Sequence, residues 1–437
     1  MQRFHAILTS VMARIIVGAT LLLLVGCSPQ LNPKYCAVHP EDGDCRDAGL
    51  VSFDAPAPQC MTNADCLAFD GRPACDTVSH QCVQCVPNVS PSTCPGTQVC
   101  GDDLMCHGCI VDTHCPDSFV CTPAGTCADA ANVLYASPAG GGSCLVKESP
   151  CKLPIAASML SSTRYILKLT TLAGTDYAEP PLTINAAAQQ QGILIIGTGT
   201  TFTPTGDGNA ITTQGGNVEV FGIRIVGATG ANSEAVECSN GGLTLRRTTL
   251  TNNAGYGVRT TGCNVRFERN TISLNPLGAM LVDTGTIEIH NNLLVENGTG
   301  GLTAGNVQLK NVAGRFVFNT IAANQSKNGN NTSGIDCTKM GAGVVVSRNI
   351  LVANGGANNP TSGDCGVSSG TNFIGDNLGD IRFANGYHLT SASPLGTVLD
   401  DSDSGADCQI NGVFIDDIDG QARPNVFCDR GADEYRP

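Results

Sequence analysis

The chain has 437 residues, with 38 Asp and Glu against 24 Lys and Arg, a net charge of −14, 23 Cys and no Trp. That acidic balance excludes nucleic acid and anionic lipid surfaces as partners recognised through charge. So many cysteines point to disulfides formed in an oxidising compartment, which excludes an ordinary cytosolic protein.

Residues 1–26 read as an export signal. Arg3 and Arg14 supply a basic start, residues 15–25 are apolar but too short to span a bilayer, and Leu24-Val25-Gly26-Cys27 follows at once. This string resembles the lipobox of bacterial lipoproteins. The resemblance implies that Cys27 carries lipid as the new N-terminus and, with Ser28 next, that the protein sorts to the outer membrane or cell surface. No second segment is long and apolar enough to cross a membrane.

Residues 27–59 are rich in Pro, Asp and Ala and predict a tether, closed by a local bridge between Cys36 and Cys45. From 60 to 131 the cysteines fall into three groups of four: Cys60, Cys66, Cys75, Cys82; Cys85, Cys94, Cys100, Cys106; Cys109, Cys115, Cys121, Cys127. Few apolar side chains accompany them, so covalent staples must replace a core. The groups resemble the Cys-rich repeats that precede larger domains in bacterial surface lipoproteins, which implies a stalk. Spacing alone leaves the pairing within each group open. A zinc reading of the C-x-x-C junctions, with His107 and His114 as further ligands, requires free thiols.

Residues 132–437 predict an all-β solenoid. The sextet N-x-[I/L]-x-x-N occurs at Asn270 to Asn275, Asn292 to Asn297, Asn319 to Asn324, Asn349 to Asn354 and Asn372 to Asn377, with Thr248 to Asn253 as an earlier variant. Successive copies start 22, 22, 27, 30 and 23 residues apart, the period of one stacked coil. Alternating apolar pairs precede the sextets: Leu243 and Leu245, Val265 and Phe267, Ile287 and Ile289, Val344 and Val346. Period two means one face in and one face out. Gly and Asn are expected at the left-handed corners, and the longer intervals predict inserted loops, one of them at Lys327 to Ser333. Asparagines in register are expected to bond to neighbouring coils rather than to a ligand.

These residues resemble the right-handed parallel β-helix of the pectin-lyase-like superfamily. The resemblance makes residues 133–177 a lead-in segment with a Gly-rich loop ending Ser149-Pro150-Cys151, a short helix from Pro154 and a strand near Tyr177. It makes the string from Asp417 to Arg423 and Pro424, with Cys428 to Tyr435, the element that closes the last coil. Cys144 with Cys151 and Cys408 with Cys428 are expected to close loops. Cys238 with Cys263 and Cys337 with Cys365 are expected to staple adjacent coils.

Aligned on the sextets, Thr244, Arg266, Glu288 and Arg315 share one outward position, and Arg246, Glu268 and His290 share another. A catalytic reading would make Glu268 or Glu288 an acid or base activated by Arg266; the other reading is a solvated ladder of paired charges. No polygalacturonase or pectate-lyase motif is present, so no catalytic residue is assigned. Asp401, Asp403 and Asp407 lie in an acidic loop with partial calcium-site spacing and no closing Glu, so Ca²⁺ is a candidate there and no cofactor is otherwise expected. The expected protein is a monomeric, lipid-anchored envelope protein with a structural or adhesive head. Its partners would be the membrane, through the anchor, and a polysaccharide or another envelope component. The alternatives are a polysaccharide lyase or hydrolase, and a metal-binding envelope protein.

Overall fold

The computed structural model describes residues 60–435 apart from 68–70, 87–93, 95–97, 101–103, 171–175, 188–191, 299–305, 326–333, 339–343, 356–360, 364–366, 368–369, 400–407, 411–412, 415, 422 and 424–427. Cys27, Cys36, Cys45, the Lys327 to Ser333 insertion, Cys365 and the acidic loop with Asp401, Asp403 and Asp407 lie outside the described residues. The chain divides into two compact units, one of residues 1–93 with 102–105, the other of 94–101 with 106–437.

In the first unit, Cys60 bonds to Cys75 and Cys66 to Cys82. A short 3-10 turn, Asn63–Cys66, is held by a capping box between Thr62 and Asp65. It is followed by a hairpin of Ala74–Asp76 with Gln81–Val83. Among the described residues the four cysteines form the buried cluster of this module, as its shortage of apolar side chains demands.

In the second unit, the last module bonds Cys109 to Cys121 and Cys115 to Cys127. First-to-third and second-to-fourth pairing thus recurs, and Cys94–Cys106 fits it as a second-to-fourth bond. All twelve cysteines of the three groups are disulfide-bonded. The zinc reading with His107 and His114 therefore lacks its thiolates.

The solenoid begins where strand Val133–Ala136 pairs in parallel with Ile166–Leu169. Between them the Cys144–Cys151 bridge closes a loop, and α1, Leu153–Ser158, starts with Pro at its first turn. Leu153 and Ala156 are fully buried in the main core, so α1 covers the open end of the first coil. Beyond it, each coil contributes one strand to each of three parallel sheets. In the strand Tyr256–Glu268, for example, residues 258–261 lie in sheet A and 263–268 in sheet B, with Gly262 turning the corner at φ 68°. Thr271–Ser273 then adds to sheet C. Parallel pairing continues in register to Phe373–Gly375, giving about seven turns. Leu243, Leu245, Val265, Phe267, Ile287 and Ile289 all point into one continuous core, as their alternation predicts. Cys238–Cys263 staples neighbouring coils; Cys337 is also disulfide-bonded.

Two expectations need correction. The left-handed residue at the B-to-C corner is not chiefly Gly or Asn: the series is Gly222, Arg247, Arg269, Asn291, Phe318 and Arg348. At the C-to-A corner it is Asn252, Leu274, Glu296, Ala323 and Ala353. Each non-glycine of these series precedes a ladder residue, and hydrogen bonding by that residue holds a conformation that costs about 1–2 kcal/mol. Second, the Asp417 to Tyr435 string does not cap the last coil. With Asp416 before it, it lies along the flank, where Asp416 meets Arg269 and Asn291, Ala432 meets Thr320 and Arg430 meets Gly370. The reason is visible in sheet C. Thr271–Ser273 buries only its central residue, whereas Leu293–Val295, Thr320–Ala322 and Ile350–Val352 bury all three. Their outward Leu293, Val295, Ile350 and Val352 need cover and receive it from Ile381, Leu389, Val398, Leu399 and Ala432.

Candidate functional site

The most periodic residues are scaffold. Asn270 Nδ2 donates to Asn292 Oδ1 (2.9 Å), Asn292 to Asn319 (2.9 Å), Asn319 to Asn349 (3.1 Å) and Asn349 to Asn372 (2.9 Å). A second ladder runs Asn253, Asn275, Asn297, Asn324, Asn354. Each side chain also accepts from the backbone N–H of the residue one coil earlier, as Asn319 does from Asn292. From Asn253 to Asn372 these asparagines are buried except Asn354. Nothing of them faces a ligand. Asn377 leaves the ladder and instead caps the 3-10 turn Leu378–Asp380.

Sheet B carries the charges. Thr244, Arg266, Glu288 and Arg315 are consecutive cross-strand partners, as are Arg246, Glu268 and His290. Glu268 accepts from Arg246 Nε (3.2 Å) and Arg266 Nη2 (3.1 Å). Burial opposes its ionisation, but Arg246, His290, Arg266 and Arg269 outweigh burial and hold its pKa below the usual carboxylate range. Such a group stays ionised near neutral pH and has no proton to donate. Arg246 reaches on to Glu219 (3.4 Å). The expected solvated ladder ends at His290, which is 2% exposed. Burial pushes its pKa down to about 4 despite Glu268.

What buries His290 is the flank segment. Arg423, fully buried, donates to Glu434 (2.8 Å), to the carbonyls of Asp429 and Gly431 and to Asn291 Oδ1, and stacks 4.5 Å from the Phe318 ring. Asp417 accepts from the backbone N–H groups of Gln421 and Glu434, and Asp429 from that of Tyr435. The charged string is a lock, stapled once more by Cys408–Cys428. Beside it His388 Nδ1 lies 3.3 Å from Asp419 and 3.4 Å from Asp433. Hydrogen bonding to Asp433 raises the His388 pKa, which favours an ion pair at this triad.

The last disulfide module, read from sequence as part of a stalk, packs as a bar across the outer face of sheet B. Its Val120 packs with Val133, Tyr135, Ile166 and Ile196. Lys168 pairs with Asp112 (2.5 Å), and Tyr135 Oη and Lys147 Nζ donate to the carbonyls of Ser118 and Pro116. A groove of about 640 Å³ opens on one side, lined by Thr126, Tyr165, Asn217, Glu219, Thr244, Asn264 and Arg266. On the other side a cavity of about 570 Å³ touches Ile110, Phe119, Phe221, Arg246, Arg247 and Arg269. Sequence reasoning found Arg266, Arg246 and Glu268 but missed Asp112, Lys168, Arg247 and Arg269. The last two immediately precede ladder positions 248 and 270, a fixed offset that would have marked them as one column.

A further acidic group sits at the edge of sheet A. Glu234, 2% exposed, has Arg259 at 3.6 Å and its Oε1 makes no hydrogen bond. Burial raises its pKa, but the same burial keeps substrate from it.

Residues 192–377 match the family model described as right handed beta helix region. A solved structure of pectate lyase Pel9A aligns with 71% of this chain and 100% of its own, at a TM-score of 0.34 and 11% identity. No curated protein matches the chain. The parallel sheets and the family match together make residues 192–377 a right-handed parallel β-helix.

Proposed function

We propose that this is a lipid-anchored envelope protein whose β-helix head binds an extended partner rather than cleaving it. The observation that carries the reading is the state of the sheet B carboxylates. Glu268 is fixed between two arginines and Glu288 lies between Arg266 and Arg315 in the strand register. Hydrolysis or elimination needs an acid and a base poised at one bond, and the engagement of Glu268 by Arg246 and Arg266 and of Glu219 by Arg246 speaks against those roles. Binding needs less. Asn217, Thr244, Asn264 and Arg266 line one groove from neighbouring coils, at the roughly 4.8 Å interval of adjacent strands. That spacing suits the repeated hydroxyl and carboxylate groups of an envelope polysaccharide. The lipid anchor rests on Cys27 and the residues before it.

Two experiments test this. Soluble protein from Ser28 onward should be retained on immobilised acidic polysaccharides, and Arg266→Ala with Thr244→Ala should weaken retention about tenfold. No retention on any polymer would remove the binding reading. In cells, Cys27→Ser should abolish incorporation of a labelled fatty acid; label that persists would remove the anchor.

A further inference from the structure

We propose that the cavity between the last disulfide module and the B-to-C corner of the β-helix binds a carboxylate carried on an apolar body, such as a fatty or aryl acid. This site is distinct from the polymer groove, which lies on the opposite side of the module. Three guanidinium groups converge on it: Arg246, Arg247 and Arg269. Two are already matched, Arg246 by Glu219 and Glu268 and Arg269 by Asp416 at 2.9 Å. Arg247 has no carboxylate within ion-pair distance among the described residues. Its guanidinium instead lies 5.9 Å from the centre of the Phe221 ring.

An unmatched cation held beside two others is poised for an anion. Burial, then the repulsion of Arg269 and Arg246, disfavours the charge on Arg247 and lowers its pKa, and a carboxylate arriving there relieves that repulsion with a two-point, charge-assisted bond. The opposite wall decides what the carboxylate is attached to. Ile110, Val111 and Phe119 are 67%, 48% and 40% exposed, and all three line this cavity with Pro123. Large apolar side chains grouped on a wall mark a place where apolar surface is covered. Multiply charged anions fit less well, because Glu268 and Asp416 stand behind the arginines. The volume of about 570 Å³ is that of a small-molecule site.

The test is calorimetric titration of the Ser28 to Pro437 protein with decanoate below its micellar range, and with octyl glucoside as a neutral amphiphile of similar reach. Decanoate should bind at one site and octyl glucoside should not. Arg247→Gln should weaken decanoate at least about tenfold, and Ile110→Ser should weaken it as well, while circular dichroism and polysaccharide retention stay as in the parent. Arg247 lies outside both asparagine ladders and makes no ion pair among the described residues, so its replacement leaves the fold intact. No decanoate binding, equal binding of octyl glucoside, or undiminished binding by Arg247→Gln would each overturn the proposal.

Discussion

Consecutive residues at the corners of this solenoid obey opposite rules. On the inside of the B-to-C corner the series Thr248, Asn270, Asn292, Asn319, Asn349, Asn372 is nearly uniform, buried and satisfied by its own neighbours. On the outside, one residue earlier, the series Arg247, Arg269, Asn291, Phe318, Arg348 mixes three residue types, and even its two leading arginines differ in what they meet. Arg247 meets the cavity, Arg269 pairs with Asp416, Asn291 and Phe318 hold Arg423, and the Arg348 carbonyl accepts from Gly431. Uniformity marks what the fold needs in every coil; variation marks what only one coil does. The chemistry of this chain is therefore sought outside the repeat.

The largest test of that contrast is at the lock. Arg423→Ala removes the partner of Glu434 and leaves a buried carboxylate unpaired, which should cost about 3–5 kcal/mol. Urea unfolding should show the loss, and cleavage by protease should appear first in the flank segment. Replacing both partners, Arg423→Met with Glu434→Leu, removes the unpaired charge and should recover only part of the loss, because the carbonyls of Asp429 and Gly431 and the Asp429 N–H lose their partners.

Next comes the ladder. Asn297→Ala leaves the backbone and side-chain donors of Asn275 without an acceptor and removes two bonds to the carbonyls of Ile272 and Val295. Two or more buried groups orphaned together predict about 2–4 kcal/mol. Its neighbour Glu296, which outside the corner accepts from Tyr387 Oη at 2.7 Å, should tolerate Ala for under about 1 kcal/mol. Equal losses at these adjacent positions would break the distinction between inside and outside.

His290 gives the pH dependence. Its pKa is about 4 in the fold against 6.5 in the free side chain, so the folded protein binds fewer protons than the unfolded chain between these values. The stability this confers is present above pH 6.5 and lost as pH falls toward 4, up to about 3 kcal/mol. The difference in urea midpoint between the parent and His290→Gln should shrink over that range; a constant difference would mean that the flank segment does not keep His290 dry. The smallest effect is at Leu274, 42% exposed at φ 57°. Leu274→Gly relieves the left-handed strain and should stabilise by about 0.5–1 kcal/mol.

The sequence made the interior legible because interior packing repeats. Asn270 and its equivalents, the alternation at Val265 and Phe267, and the coil-to-coil bridge of Cys238 with Cys263 all follow from period and spacing. Contacts made once left no such trace. Lys168 meets Asp112 across 56 residues with no periodic signal, so nothing in the sequence signalled that the last disulfide module, read as part of a stalk, packs against the β-helix. The flank position of Asp417 to Tyr435 was partly written in Leu293-Leu294-Val295 and Ile350-Leu351-Val352, whose continuous apolar runs mean cover on both faces. The left-handed φ of Arg269 or Phe318 is imposed by the ladder next to it and cannot be read from residue type.

The central claim, a head that binds without cutting, is tested most directly by incubating the Ser28 to Pro437 protein with acidic and neutral polysaccharides, with and without Ca²⁺, and following new reducing and unsaturated ends. The account predicts no new ends, in the parent or in Glu268→Gln and Glu288→Gln. Cleavage by the parent that disappears in either variant would contradict it and place an active site on sheet B.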